Sequence, residues 1–241
     1  MTTPRLPAPA PSSKVENIAE QLLLRWQAEP GAFVHEGAPG LTSGEYTSEN
    51  GATVIRHVLW GSRRFRYLTL EKVHLGEGLD ALQAVMAPDP SHPAPIFGLQ
   101  VVARGDRVVW AFADLSPVLP DGSLGPDYER ALAGLPADTF QHTRELPSWG
   151  GIFSRHALGV HPRDEDEYAG FERRVTDLLD LLLAVPTPTD ATPEQLRQAW
   201  ERYRHTILEG EQRRRILERD FAADWLEQYA TTSFLPPLPE A

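Results

Sequence analysis

The sequence contains no cysteine, which excludes disulfides, thiolate metal sites, iron–sulfur clusters and thiol nucleophiles from this chain. Long apolar runs are missing too. The longest candidate, Leu178 to Val185, is interrupted by Asp180 and is far shorter than the roughly 18 residues that a membrane helix needs. The first residues form no basic-then-apolar signal segment. We therefore expect a cytoplasmic protein with no membrane partner.

Positive charge is also in short supply. The 241 residues carry 23 Lys and Arg against 34 Asp and Glu, a net charge of −11, which argues against nucleic acid as a main partner. The Arg residues that do cluster are Arg63, Arg64 and Arg66, and the C-terminal run Arg213 to Arg215 with Arg219. Each cluster is either a docking face for an acidic protein or an ordinary solvated surface.

Familiar catalytic signatures are absent. The sequence has no phosphate-binding P-loop, no G-x-G-x-x-G and no G-x-S-x-G elbow. His156 and His161 are five residues apart, without the further ligands of a metal motif. We therefore expect no metal site.

The first part of the chain predicts a tail, a helix and a sheet. Residues 1–13 are rich in Pro, Ala and Ser and predict a flexible tail, which leaves residues 14–241 as a single domain. Apolar residues recur with helical spacing between Lys14 and Ala28. From Phe33 to Leu115 apolar and polar residues alternate, and short Gly- and Asn-containing turns separate the runs. Consecutive strands with short turns favour an antiparallel meander.

After Pro117 the pattern is mainly helical. We predict a short helix over Asp127–Leu135 and one further strand over Arg155–Val160. A helical stripe runs from Tyr168 to Leu182, and Thr192-Pro193-Glu194-Gln195 is a helix start with a capping box. A final helix is predicted over Glu211–Tyr229. An antiparallel sheet with helices on both faces follows from this order of elements.

Three polar residues interrupt the alternation of the predicted strands. Glu71 shares a face with Phe65 and Tyr67 in this pattern, and Gln83 and Gln100 occupy similar positions in the next two strands. A polar side chain under a covering helix costs about 1–3 kcal/mol unless it is hydrogen-bonded. The three residues therefore either line a ligand cavity with a few convergent polar groups or lie on a partly solvated face.

Longer strings add a family resemblance. They include A-D-L-S-P at 113–117, E-L-P-x-W-G-x-I-F-S at 145–154 and R-R-x-L-E-x-x-F at 214–221, with P-I-F-G at 95–98 between the predicted strands. In this order and spacing, over roughly residues 15–235, the chain resembles the ferredoxin-dependent bilin reductases, especially the phycocyanobilin-forming branch.

The resemblance implies an α/β fold, a three-layer α/β/α sandwich with a central antiparallel sheet, in which the pigment lies between the sheet and the C-terminal helices. It also implies an oxidoreductase that acts on CH–CH groups of biliverdin without bound flavin or metal. Reduced ferredoxin supplies single electrons, the tetrapyrrole carries the radical, and side chains deliver protons. A monomer is expected from the family.

The resemblance also assigns residues, with departures. Glu71 matches the family's proton-donating strand glutamate. Gln83 stands where the phycocyanobilin-forming branch has a histidine, and Gln100 where the family has its central aspartate. Glutamine hydrogen-bonds a lactam or pyrrole but does not exchange protons near neutral pH.

The remaining assignments lie further along the chain. Arg144 matches the propionate-binding arginine, whose fork of donors suits a carboxylate. In the C-terminal segment Glu211 is the candidate second acid, and Arg213 lies next to the position of an absent propionate-binding lysine.

The expected function is thus ferredoxin-dependent reduction of biliverdin to a phytobilin, limited to two electrons because both glutamines lack an exchangeable proton. Two alternatives remain open. One is a bilin-binding or delivery protein without reductase activity, and the other is a reductase of another linear tetrapyrrole.

Overall fold

A computed structural model describes residues 11–35, 43–76, 78–136, 140–143, 150–184, 190–210 and 216–239. Within these residues, eight strands form one antiparallel sheet: β1 (Phe33–Val34), β2 (Gly44–Thr47), β3 (Thr53–Gly61), β4 (Phe65–Leu75), β5 (Leu79–Pro88), β6 (Ile96–Arg104), β7 (Arg107–Ser116) and β8 (Leu158–Val160). Strands β3 to β8 lie side by side in chain order, while β1 and β2 both pair with β3. The predicted meander is confirmed.

The helices bounded within the described part of the chain are α1 (Ser13–Gln27), α2 (Pro126–Ala133), α3 (Glu165–Ala184), α4 (Pro193–Leu208) and α5 (Ala223–Tyr229), and a short 3-10 turn spans Gly150–Ile152. One face of the sheet packs against α1, α2 and α3 in a continuous apolar core. The other face packs against α4, α5 and the C-terminal segment in a second core. The predicted α/β/α sandwich with a central antiparallel sheet is therefore correct.

Several boundaries follow from local chemistry. Thr192 caps α4 with the predicted capping box, since its hydroxyl accepts from the Gln195 amide and its own amide donates to the Gln195 side chain. Helix α1 begins at Ser13, and the amide of buried Ser12 donates to Asp80. The predicted tail therefore extends slightly too far along the chain. Its first ten residues lie outside the described residues.

One predicted helix differs from the structure. Glu211–Tyr229 is not a continuous helix, because the chain turns at 218–222 before α5 begins at Ala223. The Asp220 carboxylate accepts hydrogen bonds from Asn50 and from the Thr53 hydroxyl, 3.0 and 2.5 Å away, and these bonds lower the pKa of Asp220. They tie the turn to the start of β3.

The face of one strand residue also differs. A bulge between Phe65 and Tyr67 shifts the register of β4, so Phe65 packs into the core beneath α1 to α3. The prediction that Phe65 shares a face with Glu71 is wrong, because an inserted residue reverses the alternation before the bulge.

Candidate functional site

A row of polar side chains crosses the sheet beneath α4 and α5. The strand register pairs His57 of β3 with Glu71 of β4, Glu71 with Gln83 of β5, and Gln83 with Gln100 of β6. Directly opposed residues of an antiparallel sheet project from the same face, with their Cβ atoms about 5 Å apart. We call His57, Glu71, Gln83 and Gln100 the polar row. Three of its members are the polar strand residues that the sequence singled out.

The polar row is covered unevenly. His57 and Glu71 are each only 1% exposed, whereas Gln83 and Gln100 are partly exposed. The cover over the buried half is Tyr229, at the end of α5, whose hydroxyl donates to Glu71 Oε2 at 2.7 Å. The ring of Tyr229 also meets the His57 imidazole edge-on, with centroids 5.5 Å apart.

The chain changes its helical geometry directly after Tyr229. Residues Ala230–Phe234 form a π-helical turn, closed by a hydrogen bond from the Leu235 amide to the Ala230 carbonyl. Such turns are rare in proteins as a whole, and those that occur are often found at functional sites. This turn lies over β3 and β4, so it fixes the end of α5 above the buried half of the polar row.

An aromatic stack leads from Tyr229 to the surface. Tyr229 stacks on Trp225 at 5.1 Å with an interplanar angle of 6°, and Trp225 stacks on Phe221 at 4.8 Å. Tyr46 of β2 packs edge-on against both Trp225 and Tyr229. A cavity of about 610 Å³, lined in part by Tyr46, Phe221 and Trp225, lies beside this stack. Tyr229 therefore adjoins both the wall of this cavity and the Glu71 carboxyl.

The other half of the polar row has different neighbours. Gln100 accepts a hydrogen bond from the Trp110 indole at 3.0 Å. Two residues earlier in β6, a Cβ at Gly98 would lie only 2.5 Å from the Tyr203 hydroxyl, so glycine lets this tyrosine of α4 approach the sheet. Burial, and then the nearby Asp114 charge, raise the pKa of Tyr203, which therefore stays protonated.

A second buried carboxyl, Asp114, lies opposite Gly98 in β7. It accepts hydrogen bonds from the Ser116 hydroxyl and from both the hydroxyl and the amide of Ser154. Burial outweighs these bonds and raises the pKa of Asp114 to about 6. The contacts with Ser154 tie the segment after the 3-10 turn to the sheet beside the polar row.

The structure thus brings together part of the predicted site. Glu71, Gln83 and Gln100 form one row, while Arg144, Glu211 and Arg213 lie outside the described residues. His57 was missed although it carries the same signal as Glu71, a polar residue between the apolar Ile55 and Leu59 of an alternating strand. Tyr229 has no comparable sequence signal, because its partner Glu71 is 158 residues away in the chain.

The described residues contain neither a cluster of metal ligands nor a helix that could span a membrane. No group of three His, Asp or Glu side chains converges there as metal ligands would. None of the described helices has both the length and the apolar character needed to cross a membrane.

Comparison with known proteins gives a consistent result. Residues 20–236 match the family described as ferredoxin-dependent bilin reductase. The phycocyanobilin:ferredoxin oxidoreductase of a Synechococcus species is 35% identical over 185 residues, 74% of each chain. The enzyme of the same name from Trichodesmium erythraeum is 32% identical over 188 residues, 76% of this chain and 77% of its own.

Solved structures show the same architecture. Phytochromobilin synthase from tomato, in complex with biliverdin, superposes with a TM-score of 0.64 and covers 90% of this chain and 80% of its own, at 15% identity. At that identity the likeness establishes the fold alone.

Proposed function

The chain belongs to the ferredoxin-dependent bilin reductases, and we propose that it reduces biliverdin to a phytobilin with single electrons from reduced ferredoxin. The observation that carries this proposal is the polar row, in which a buried carboxyl and two amides share the sheet face beneath the C-terminal helices. A flat tetrapyrrole lying on the partly exposed half would meet Gln83 and Gln100 first, with Glu71 beside it.

The residues divide into holding and protonating groups. Gln83 and Gln100 offer amide donors and acceptors to the lactam oxygens and pyrrole nitrogens, but no proton near neutral pH. Glu71 is the proposed proton donor, and the Tyr229 hydroxyl orients its carboxyl. Arg144 and Arg213 are proposed to bind the propionates, and Glu211 to act as a second acid. No flavin or metal takes part in this scheme, since the pigment itself holds the unpaired electron between the two reductions.

We propose that reduction stops at two electrons. The position opposite Glu71 in β5 and the next one in β6 both carry amides, so the protonating capacity of the polar row is confined to its buried half. A pigment spanning the row would receive protons at one end only. A four-electron reduction needs protons at two separate places on the pigment, and the glutamine half of the row supplies none.

The test has two stages. Biliverdin is first titrated into the protein, and we expect a shift of the pigment absorption at micromolar concentrations. The complex is then reduced anaerobically with ferredoxin and a ferredoxin-reducing system, and the products are separated by chromatography. A two-electron product supports the proposal, whereas a four-electron product contradicts the limit and an absent absorption shift contradicts the function.

One rival function is favoured by the two glutamines. A protein that binds a bilin for storage or delivery has no need of proton donors, and Gln83 and Gln100 have lost them relative to the family pattern. The same two-stage experiment separates the two functions. A binding shift with no further change after electron supply would identify the binding protein.

A further inference from the structure

The polar row contains two side chains that can donate and accept protons, Glu71 and His57. They are directly opposed in the register of β3 and β4, on the face beneath α5. Both are 1% exposed. The row therefore ends in an adjacent acid and imidazole, while the amides occupy its other half.

The surroundings of His57 hold its ring in one orientation. Its Nε2 lies 2.9 Å from the hydroxyl of Thr69, a neighbour of Glu71 on the same face of β4. Its ring packs at 83° against the ring of Tyr229, whose hydroxyl is bonded to Glu71. Tyr229 therefore contacts both members of the pair and closes them from above.

An apolar residue at position 57 would be buried at a lower free-energy cost than histidine. The neighbours of His57 on the same face of β3 are Ile55 and Leu59, which are buried in the same core. Placing an imidazole between them costs the desolvation of its ring nitrogens, which the Thr69 hydroxyl offsets at Nε2. Packing alone does not explain an imidazole here, but transfer of a proton to the adjacent carboxyl does.

From this geometry we infer that His57 is a proton-relay residue that reprotonates Glu71 between the two reduction steps. The inference rests on the proposed function and extends it. In the first step the pigment takes one electron from a reduced ferredoxin and one proton from Glu71, which leaves a carboxylate. The His57 imidazolium then passes its proton to that carboxylate.

The second step repeats the first. Another reduced ferredoxin supplies the second electron, and the reprotonated Glu71 supplies the second proton. The pigment has then gained two electrons and two protons, and two ferredoxins have been oxidised. His57 is left neutral and Glu71 ionised, and two protons from water restore the pair. Both protons of the two-electron reduction thus come through Glu71 at the buried end of the polar row, and the relay replaces Glu211 as the source of the second one.

The decisive variant is His57→Gln, which keeps a polar side chain beside Thr69 but removes the exchangeable proton. We expect biliverdin affinity within about twofold of wild type and turnover lowered by about 100-fold, within the usual range for loss of an acid–base group. Since the first proton is still available from Glu71, the singly reduced pigment should accumulate. It would be seen as an organic radical by electron paramagnetic resonance after anaerobic mixing with reduced ferredoxin.

The matched control is His74→Gln. His74 follows Glu71 on β4 but bonds to Asp80 at 2.7 Å, away from the polar row, so its loss should leave turnover and the radical signal unchanged. Wild-type turnover in His57→Gln, with no added radical, would overturn the inference while leaving the proposed function intact. If wild type itself fails to reduce the pigment, both fail.

A second variant tests the relay if His57→Gln does not fold. Thr69→Val preserves the shape of the side chain and removes the hydroxyl that orients the imidazole. We expect turnover lowered by roughly 10-fold, a smaller loss than that of the acid–base group itself, with unchanged pigment affinity and a detectable radical. Unaltered turnover in Thr69→Val would overturn the relay.

Discussion

The two faces of the sheet differ in what they bury. On the face beneath α4 and α5 the buried polar strand residues are Thr53, His57, Thr69, Glu71, Asp114 and Ser116. On the face beneath α1, α2 and α3, within the described strands, the buried polar residue is Asp80. Asp80 lies at the start of β5, where it accepts a hydrogen bond from the Ser12 amide and pairs with His74. The other buried residues of the strands on that face are hydrocarbon or small, while Lys72 lies at its partly exposed margin and pairs with Glu16 of α1.

This difference suggests that the face beneath α1 to α3 serves mainly the stability of the fold, whereas the face beneath α4 and α5 holds the residues of the proposed site. Burial of apolar surface supplies the folding free energy, and the α1 side does this without interruption. Polar groups buried on the α4 side each need a hydrogen-bond partner, and they are the groups on the sheet available to bind or protonate a ligand. Neighbouring residues of β4 point to opposite faces, which makes the difference testable one residue at a time.

The largest effect is expected from Glu71→Gln. The substitution keeps an acceptor for the Tyr229 hydroxyl but removes the proton of the carboxyl. We expect pigment binding to persist and turnover with ferredoxin to fall by about 10²- to 10⁴-fold. Steady-state rates and an absorption titration measure the two quantities separately. Turnover at the wild-type rate would remove Glu71 from the mechanism.

The matched substitution on the opposite face is Leu70→Ala. Leu70 precedes Glu71, is 1% exposed and packs in the core beneath α1 to α3. We expect the free energy of unfolding to fall by about 2–5 kcal/mol, as for other buried leucines, with turnover per folded molecule unchanged. Urea unfolding and an assay corrected for folded protein give the two values. A large loss of turnover in the folded variant would show that the faces are not independent.

The substitution Asp114→Asn measures how much the ionisation of a buried carboxyl on the face beneath α4 and α5 lowers the free energy of unfolding. The pKa of Asp114 is raised from 3.8 to about 6, so the unfolded chain loses this proton at lower pH than the folded one. Stability from this group is complete below pH 3.8 and falls as the pH rises towards 6. The total loss is roughly 3 kcal/mol.

The measurement compares wild type and Asp114→Asn by urea unfolding at pH 4 and at pH 7.5. Asparagine does not titrate, so the stability of the variant relative to wild type should increase by roughly 2.5 kcal/mol between the two pH values. Any pH-independent cost of disturbing the bonds from Ser116 and Ser154 cancels in this difference. An unchanged difference would mean that Asp114 ionises normally in the folded protein.

Sequence patterns predicted the sheet well because its order is local. Each strand from β3 to β7 pairs with the next one along the chain, so alternation and short turns are enough to place Glu71, Gln83 and Gln100 in one row. The same reasoning failed where one residue breaks the period. The bulge before Tyr67 moved Phe65 to the other face, and no feature of the alternation marks it.

The cover of the site could not be predicted in this way. Tyr229 reaches Glu71 across 158 residues, a contact set by packing of the C-terminal segment rather than by local periodicity. The break before α5 depends on Asp220 bonding to Asn50 and Thr53, again distant in the chain. The roles given to Arg144, Glu211 and Arg213 stay predictions, because these residues lie outside the described ranges.

The smallest effect is expected from Gly98→Ala, which tests how tightly α4 is seated on the polar face. The added methyl would lie 2.5 Å from the Tyr203 hydroxyl, and Tyr203 has little freedom to retreat because it stacks on Trp200. Overpacking of this kind costs about 1–3 kcal/mol. Gly151→Ala is the matched control, since nothing lies within 4 Å of its added methyl.

The consequence for the site distinguishes this strain from ordinary destabilisation. Displacing Tyr203 shifts α4 next to Gln100, so Gly98→Ala should weaken biliverdin binding several-fold, roughly 1 kcal/mol, as well as lowering the urea midpoint. Gly151→Ala should change the free energy of unfolding by less than about 0.5 kcal/mol and leave binding unaltered. Loss of stability in Gly98→Ala with undiminished pigment affinity would place the pigment away from β6 and return that half of the row to a structural role.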